Sequence, residues 1–385
     1  MNQRANWNYP TSVKFGAGRI SELVDACKSS GIERPLFVTD PGLAALPMTQ
    51  MVFGTLKAAG LKAQIFSSIK SNPVESNVAA GVAVLREGLH DGVIAFGGGS
   101  ALDVGKVIAF MAGQTRPMWD FEDVGDWWTR ADPKGIVPVI AVPTTSGTGS
   151  EVGRAGVITQ EVTHTKKVIF HPKMMPVVTI CDPALTVGLP AAITAATGMD
   201  AFAHCLEAYC APGFHPLADG VAVEGMRLVK QSLVRAVSHG GDLEARGDMM
   251  AAAAMGATAF QKGLGAIHAL SHPIGAIYDT HHGLTNAVFM PYVLAFNRKA
   301  IEARIERLAA YLGLGASFDA FQTYVLDLRR EVGIPHTLQG LKVGAEKAQL
   351  ITEMAIIDPT AGGNPVTLDI AGARRIFDMA LSGEI

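Results

Sequence analysis

Apolar positions in the first half of the chain fall in short, nearly continuous runs. These are "PLFVTD" (35–40), "AQIFSSI" (63–69), "GVIAFGGGS" (92–100), "VPVIAVPTT" (137–145) and "VVTICDP" (177–183). Runs of this length, rich in Val, Ile and Phe and closed by Gly, Pro or Asp, read as strands. Stretches with helical spacing at 74–88 and 101–113 separate several of them. Strands alternating with helices predict a parallel α/β sheet. "AGVITQEVTHTKKVIF" (155–170) reads as two strands around a turn, an added hairpin, and "GDWWTRADPKG" (125–135) as an exposed loop. After "DPALTVGLP" the pattern becomes helical almost to the end, as in the Ala-, Leu- and Met-rich stretches 216–237 and 244–262. The expected architecture is an α/β domain over residues 1–185 and an all-helical domain over 186–385.

Composition narrows the classes. Of 385 residues, 49% are hydrophobic and 17% charged, which suits two packed domains and argues against disorder. A net charge of −3 gives no reason to expect nucleic acid or an anionic membrane as partner. No apolar stretch is long enough to span a bilayer, and "MNQRANWNYP" lacks a signal-peptide core, so a cytoplasmic location is expected. Cys27, Cys181, Cys205 and Cys210 form no C-x-x-C pair, so reduced thiols are expected and a cysteine zinc site is not.

Against this apolar background "TGMDAFAHCLEAY" (197–209) stands out. It reads as the opening turns of a helix, with Thr197 or Gly198 near its start. Asp200 and His204 are four residues apart and so share one helical face. Two explanations are open: a local Asp–His hydrogen bond on a partly solvated face, or two ligands of a divalent metal. A second cluster bears on the choice. "AIHALSHPIGAIYDTHHGLTNAVFMPY" (266–292) holds His268, His272, His281 and His282, four of the chain's 11 histidines. Pro273 directly follows His272 and is expected to bend or end that helix. Asp200, His204 and two of these histidines would make one carboxylate and three imidazoles, a set that suits Fe²⁺ or Zn²⁺ better than Mg²⁺ or Ca²⁺.

Two glycine-rich stretches supply different chemistry. "AFGGGSALDVGK" (95–106) runs from a strand into a helix, where backbone N–H groups and the helix N-terminus favour a phosphate. A tight βα turn without a ligand is the plainer explanation. Spacing excludes a Walker A loop, since Ser100 stands where its first glycine belongs and Val107 follows Lys106. In "PTTSGTGSE" (143–151), the continuation "GTGSEVG" puts three residues between its last two glycines, so it is not the Rossmann fingerprint. Its Thr144, Thr145, Ser146, Thr148 and Ser150 suit hydrogen bonding to a nucleotide. Asp40 ends the strand "LFVTD", where a carboxylate accepts from a ribose diol and repels a 2′-phosphate.

From "NYPTSVKFGAGRI" onward, nearly the whole chain resembles the iron-containing (group III) alcohol dehydrogenase family. The motifs are "GGGSALDVGK", "PTTSGTGSE", "DPALTVGLP", "TAATGMDAFAHCLEAY" and "HALSHPIGAIYDTHHGLTNAVFMPYV". The resemblance implies a dinucleotide-binding α/β domain and a helical domain, with metal and substrate in the cleft between them. It implies Asp200, His204, His268 and His282 as metal ligands, for Fe²⁺ with Zn²⁺ also suited, and His272 as a nearby non-ligand. It implies NAD contacts at Asp40, Asn72, Gly98, Gly99, Ser100, Asp103, Thr144, Thr145, Thr148, Lys166 and Leu185. His281 receives no role. The implied reaction interconverts a small alcohol and its aldehyde or ketone by metal-assisted hydride transfer. A homodimer or higher homo-oligomer is implied as well.

His272 has two readings, a proton relay or support of a metal ligand. Phe202, Phe260, Trp119, Trp127 and Trp128 are aromatic candidates to shape the substrate cleft. Alternative functions on the same fold are a metal-independent maleylacetate-reductase-like enzyme and a zinc polyol dehydrogenase of the glycerol type. A non-catalytic dinucleotide-binding protein is the alternative from another class.

Overall fold

The structure, a computed structural model, describes residues 5–7, 9–163 and 165–385. The chain divides into two compact units: one runs to Thr145 and resumes over Gly149–Val187, and the other comprises Ser146–Thr148 and Gly188–Ile385.

The first unit is built on a seven-stranded sheet. Its strands are β1 (Ala5–Trp7), β2 (Ser12–Phe15), β3 (Pro35–Val38), β4 (Gln64–Phe66), β5 (Gly92–Gly97), β6 (Val139–Pro143) and β9 (Val178–Cys181). A separate antiparallel hairpin joins β7 (Ala155–Gln160) to β8 (Thr165–Phe170). His164, in the expected hairpin turn, lies outside the described residues. The sheet order is β1-β2-β9-β6-β5-β3-β4, with β1 antiparallel to β2 and the remaining pairs parallel. The helices are α1 (Leu23–Ser29), α2 (Pro41–Ala44), α3 (Pro47–Ala58), α4 (Glu75–Glu87) and α5 (Gly99–Met111).

Successive strand residues face opposite sides of the sheet. Val93 and Ala95 pack with Val78, Val104 and Ile108 from α4 and α5, whereas Ile94 and Phe96 pack with Leu23, Phe53 and Leu56 from α1 and α3. A sheet covered on both faces needs apolar residues at every position, which is why these strands read as unbroken apolar runs. The strand β2 was not among the expected elements. It has four residues with an alternating burial pattern, too short and too polar to stand out, and pairs in parallel with β9.

The second unit is helical: α6 (Ala191–Cys210), α7 (Pro216–Ser238), α8 (Leu243–Ala259), α9 (Ala266–Tyr278), α10 (His282–Tyr311), α11 (Phe318–Glu331), α12 (Ala348–Ile356) and α13 (Ile370–Ser382). Two expectations are corrected here. The helix carrying Asp200 starts at Ala191 after Pro190, not near Thr197. Thr197 is interior and turns its hydroxyl back to the Ile193 carbonyl at 2.9 Å, and at Gly198 a Cβ would lie 2.3 Å from Leu233. Nor does Pro273 end α9, which continues to Tyr278 with Ile274 and Gly275 buried. Core packing on both sides of the proline holds the turn that its missing N–H weakens.

All four cysteines are free and buried. Burial pushes the thiols of Cys27, Cys205 and Cys210 up to about 12 and raises that of Cys181 well above its usual value. No helix among the described residues is long and apolar enough to cross a membrane.

Beneath the hairpin lies a buried charged cluster. The Lys106 ammonium donates to the carbonyls of Ser150 (2.9 Å) and Ala155 and lies 3.4 Å from Asp103. Glu151 is 2% exposed, and its Oε1 meets no hydrogen-bond partner among the described residues. Burial, opposed by backbone hydrogen bonding and by Lys106, raises its carboxyl from 4.5 to about 7. The folded chain therefore binds a proton between these values that the unfolded chain has released. That contribution to stability is full below pH 4.5 and is lost as the pH rises through about 7. Parallel melting curves from pH 4.5 to 8 should show the Glu151→Gln variant gaining on the wild type by roughly several degrees as the pH rises. A pH-independent difference would mean that Glu151 is already ionised in the fold.

Candidate functional site

The histidine cluster forms because three helices of the second unit bring it together. Asp200 and His204 lie on α6, His268 and His272 on α9, and His282 opens α10. Asp279, in the left-handed conformation (φ 53°), ends α9, and the chain turns so that His281 takes the position just before α10. Close approach of α10 to α6 depends on Gly283, where a Cβ would sit 2.4 Å from the Ala196 carbonyl oxygen and 2.9 Å from the Asp200 Cβ.

One ligand atom each from Asp200, His204 and His268 lies within 4.8 Å of the others, and all three residues are buried. His282 Nε2 is 3.7 Å from Asp200 Oδ1. The rings of His204 and His268 stack at 4.7 Å, those of His272 and His282 at 5.4 Å. In the middle lies Asn286. Its Nδ2 is 2.7 Å from Asp200 Oδ1, 3.1 Å from His268 Nε2 and 3.2 Å from His282 Nε2.

An amide NH₂ has two protons. Three atoms crowd around this one, with His204 alongside, so its two protons cannot serve them all. That imbalance, in a buried site with a carboxylate, fits a divalent cation. Burial, against the pull of Asp200 and Glu207, lowers the His204 ring to about 4, which leaves it neutral with a lone pair available. For His268 burial also opposes protonation, but Glu207, Asp200 and Asp358 outweigh it and raise the pKa. The same carboxylates that favour a proton there favour a metal cation.

Three supporting residues escaped the sequence reading. Glu207 on α6 accepts from His268 Nδ1 at 2.5 Å, and Asn286 on α10 donates to Asp200. Asp358, after α12, accepts from His272 Nδ1 at 2.8 Å, and its other oxygen accepts from the Thr360 N–H and hydroxyl. The only signal was Glu207's position on the Asp200–His204 stripe; the Asp358 pairing spans 86 residues of sequence.

Among the aromatic candidates, Phe260 lies beside the cluster, its ring 5.2 Å from His204. The others do not. Phe202 is fully buried against Phe321 and Tyr324. Trp119 donates to Glu75, Trp127 stacks under Arg130, and Trp128 packs on Phe170.

In the first unit, β3 leads to β4 on one side and β5 leads to β6 on the other, so the sheet's switch point lies between β3 and β5. Ligands of open α/β sheets bind outside the carboxyl ends of strands at such a point. Asp40 follows β3, and Gly97, Gly98 and Gly99 join β5 to α5. Gly97 has φ 148°, and a Cβ there would meet Ala101 at 2.8 Å. The resulting bare backbone at the N-terminus of α5 fits a pyrophosphate.

Asp40 Oδ1 caps α2 through the Leu43 N–H at 2.8 Å. The Thr144 N–H donates to the Gly97 carbonyl at 3.0 Å, and Thr145 lies against Gly98. Ser100 Oγ bonds the Ser71 carbonyl at 2.5 Å, bringing Asn72's loop to α5. Lys166 is on β8, beside a Lys167 paired with Glu122 at 2.7 Å, and Leu185 is buried in the turn after β9. The oxygens of Asp103 accept from Ser150 Oγ (2.5 Å) and the Val157 N–H (3.1 Å). Thr148 belongs to the second unit.

Comparison with known proteins bears on this geometry. A model described as iron-containing alcohol dehydrogenase matches residues 10–183, and one for the C-terminal part of the Fe-containing alcohol dehydrogenase family matches 194–381. The chain belongs to the iron-containing alcohol dehydrogenase family. It is an oxidoreductase of the alcohol dehydrogenase type. This family member is 39% identical over 383 residues to the 4-hydroxybutyrate dehydrogenase of Cupriavidus necator, covering 97% of this chain and 99% of that one. A solved 1,3-propanediol oxidoreductase matches it with a TM-score of 0.91 at 34% identity, over 99% of this chain and 100% of the other. A sulfoacetaldehyde reductase from Bifidobacterium kashiwanohense, solved in complex with NAD⁺, gives a TM-score of 0.87 at 28% identity over 99% of both chains.

In this iron-containing alcohol dehydrogenase the contact at Gly283 leaves no room for a methyl group. Gly283→Ala should push α10 off α6 and weaken metal binding by about 10- to 100-fold, the usual effect of disturbing a ligand's support. Metal content after dialysis against a competing chelator checks this; wild-type retention would mean that the helices yield without disturbing His282.

Proposed function

We propose that the protein interconverts a small alcohol and its aldehyde or ketone with NAD⁺ or NADH, using Fe²⁺ held by Asp200, His204, His268 and His282. Zn²⁺ suits the same donors. The crowding of acceptor atoms around Asn286 Nδ2 carries this reading. The metal would supply Lewis acidity and the nicotinamide a hydride acceptor. Gly98, Gly99, Ser100, Thr144 and Thr145 would cradle the dinucleotide, with Asn72, Thr148, Lys166 and Leu185 as further contacts. Asp40 would receive the ribose diol.

His272 is the proton carrier in this reading. Asp358 holds its Nδ1, which leaves Nε2 to take the proton released by the alcohol. Stacking on His282 keeps the ring beside the metal ligands. The Asp/His/His/His set favours this function over a maleylacetate-reductase-like or glycerol-dehydrogenase-like one. The four buried thiols suit the cytoplasm, and a homo-oligomer follows from the family resemblance.

Removing the metal with a chelator should abolish turnover of short alcohols with NAD⁺, and added Fe²⁺ or Zn²⁺ should restore it. Full activity in metal-free protein would overturn the reading. His272→Ala should keep its metal and lose about 10²- to 10⁴-fold in kcat; an unchanged kcat at full occupancy would remove His272 from the chemistry. Asp40→Gly should narrow a wild-type preference for NAD(H) over NADP(H), measured as the ratio of kcat/KM values. A wild type that favours NADP(H) would contradict Asp40's placement.

A further inference from the structure

We propose that Glu207 is the positioning residue of the metal centre, holding the His268 ring with its proton on Nδ1 so that Nε2 presents its lone pair to the ion. The inference rests on the metal reading above and adds to it a residue that does not ligate.

Asp200, His204 and Glu207 are spaced i, i+4 and i+7, one stripe of α6. The first two are candidate ligands, and the third reaches across to α9. Glu207 is 6% exposed, and both its oxygens are engaged at the start of α9: Oε1 accepts from the Ile267 N–H at 2.7 Å and Oε2 from His268 Nδ1 at 2.5 Å. The neighbouring Ala266 N–H goes to Asn364 Oδ1 at 3.2 Å, and Asn364 is clasped to Asn297 by two 2.8 Å bonds. Gly265 leaves space for this arrangement, since a Cβ there would stand 2.9 Å from Asn364 Oδ1 and 3.1 Å from Glu207 Oε1.

A carboxylate accepts hydrogen bonds and donates none. Facing Nδ1, it selects the tautomer with Nδ1–H and an Nε2 lone pair, and Nε2 is the atom that points to the cluster around Asn286. It also adds a second buried negative charge beside Asp200, which increases attraction for a divalent cation.

Replacement by glutamine separates positioning from helix capping. In Glu207→Gln the amide oxygen can still accept from Ile267, but its NH₂ then faces Nδ1 and selects the opposite tautomer, with Nε2 protonated. Co²⁺ is the probe, titrated into metal-free full-length protein against a competing chelator, with its visible absorption reporting ligand geometry. Glu207→Gln should lose about 10- to 100-fold in Co²⁺ affinity and change the spectrum, while its metal-free melting temperature stays near that of the wild type. Glu207→Asp, which keeps the charge at shorter reach, should recover part of the loss. Wild-type affinity and spectrum in Glu207→Gln would overturn the assignment.

If wild-type protein takes up no Co²⁺, the metal reading fails and takes this inference with it; if only the variant behaves like the wild type, this inference alone fails. Should Glu207→Gln not fold, nitrogen NMR of histidine-labelled, zinc-loaded wild type decides. The His268 signal, identified by its loss in His268→Gln, should show a protonated Nδ1, and a protonated Nε2 would refute the proposal.

Discussion

A surplus of lone pairs enclosed by helices is the constraint on which the second unit depends. Asp200, His268 and His282 turn polar atoms towards one amide NH₂, that of Asn286, which has only two protons to give them. An unmet buried acceptor costs about 1–3 kcal/mol, so a set of this kind is unfavourable unless positive charge enters it. Much of the local architecture is arranged around that requirement. Gly283 lets α10 approach α6, Asp279 reverses the chain between α9 and α10, and the start of α9 is fastened by Glu207 and Asn364.

The first unit meets a different demand by simpler means. A parallel sheet with helices on both faces leaves its carboxyl edge for ligands, and its topological switch lies between β3 and β5. Gly97 and the N-terminus of α5 supply bare N–H groups, Asp40 a carboxylate on one side and Thr144 a neighbouring strand end on the other. No unusual side-chain chemistry is required. The stretch matches neither the Walker nor the Rossmann spacing, and its backbone at a helix N-terminus fits a pyrophosphate without either.

These differences decided what could be read from the chain beforehand. The central strands were legible because burial on both faces demands unbroken apolar runs. The strand β2 was not, having only four residues. The candidate ligands were legible because carboxylate and imidazole are rare in apolar helices and their i, i+4 spacing is local. Asp358 was not, because its partner His272 is 86 residues away and only the tertiary fold joins them. The start of α6 was misplaced because Thr197 and Gly198 carry the look of a helix terminus. Their actual roles, a hydroxyl turned back on its own helix and a gap for Leu233, are internal.

The burial of every cysteine bears on how the enzyme ages in air. A thiol must ionise and be reached before it oxidises readily, and these four satisfy neither condition in the folded chain. Alkylating reagents should therefore leave the native protein largely unlabelled. Inactivation on storage, if it precedes unfolding, would then report the oxidation state or loss of the metal, and a ferrous salt would be a better remedy than a reducing thiol.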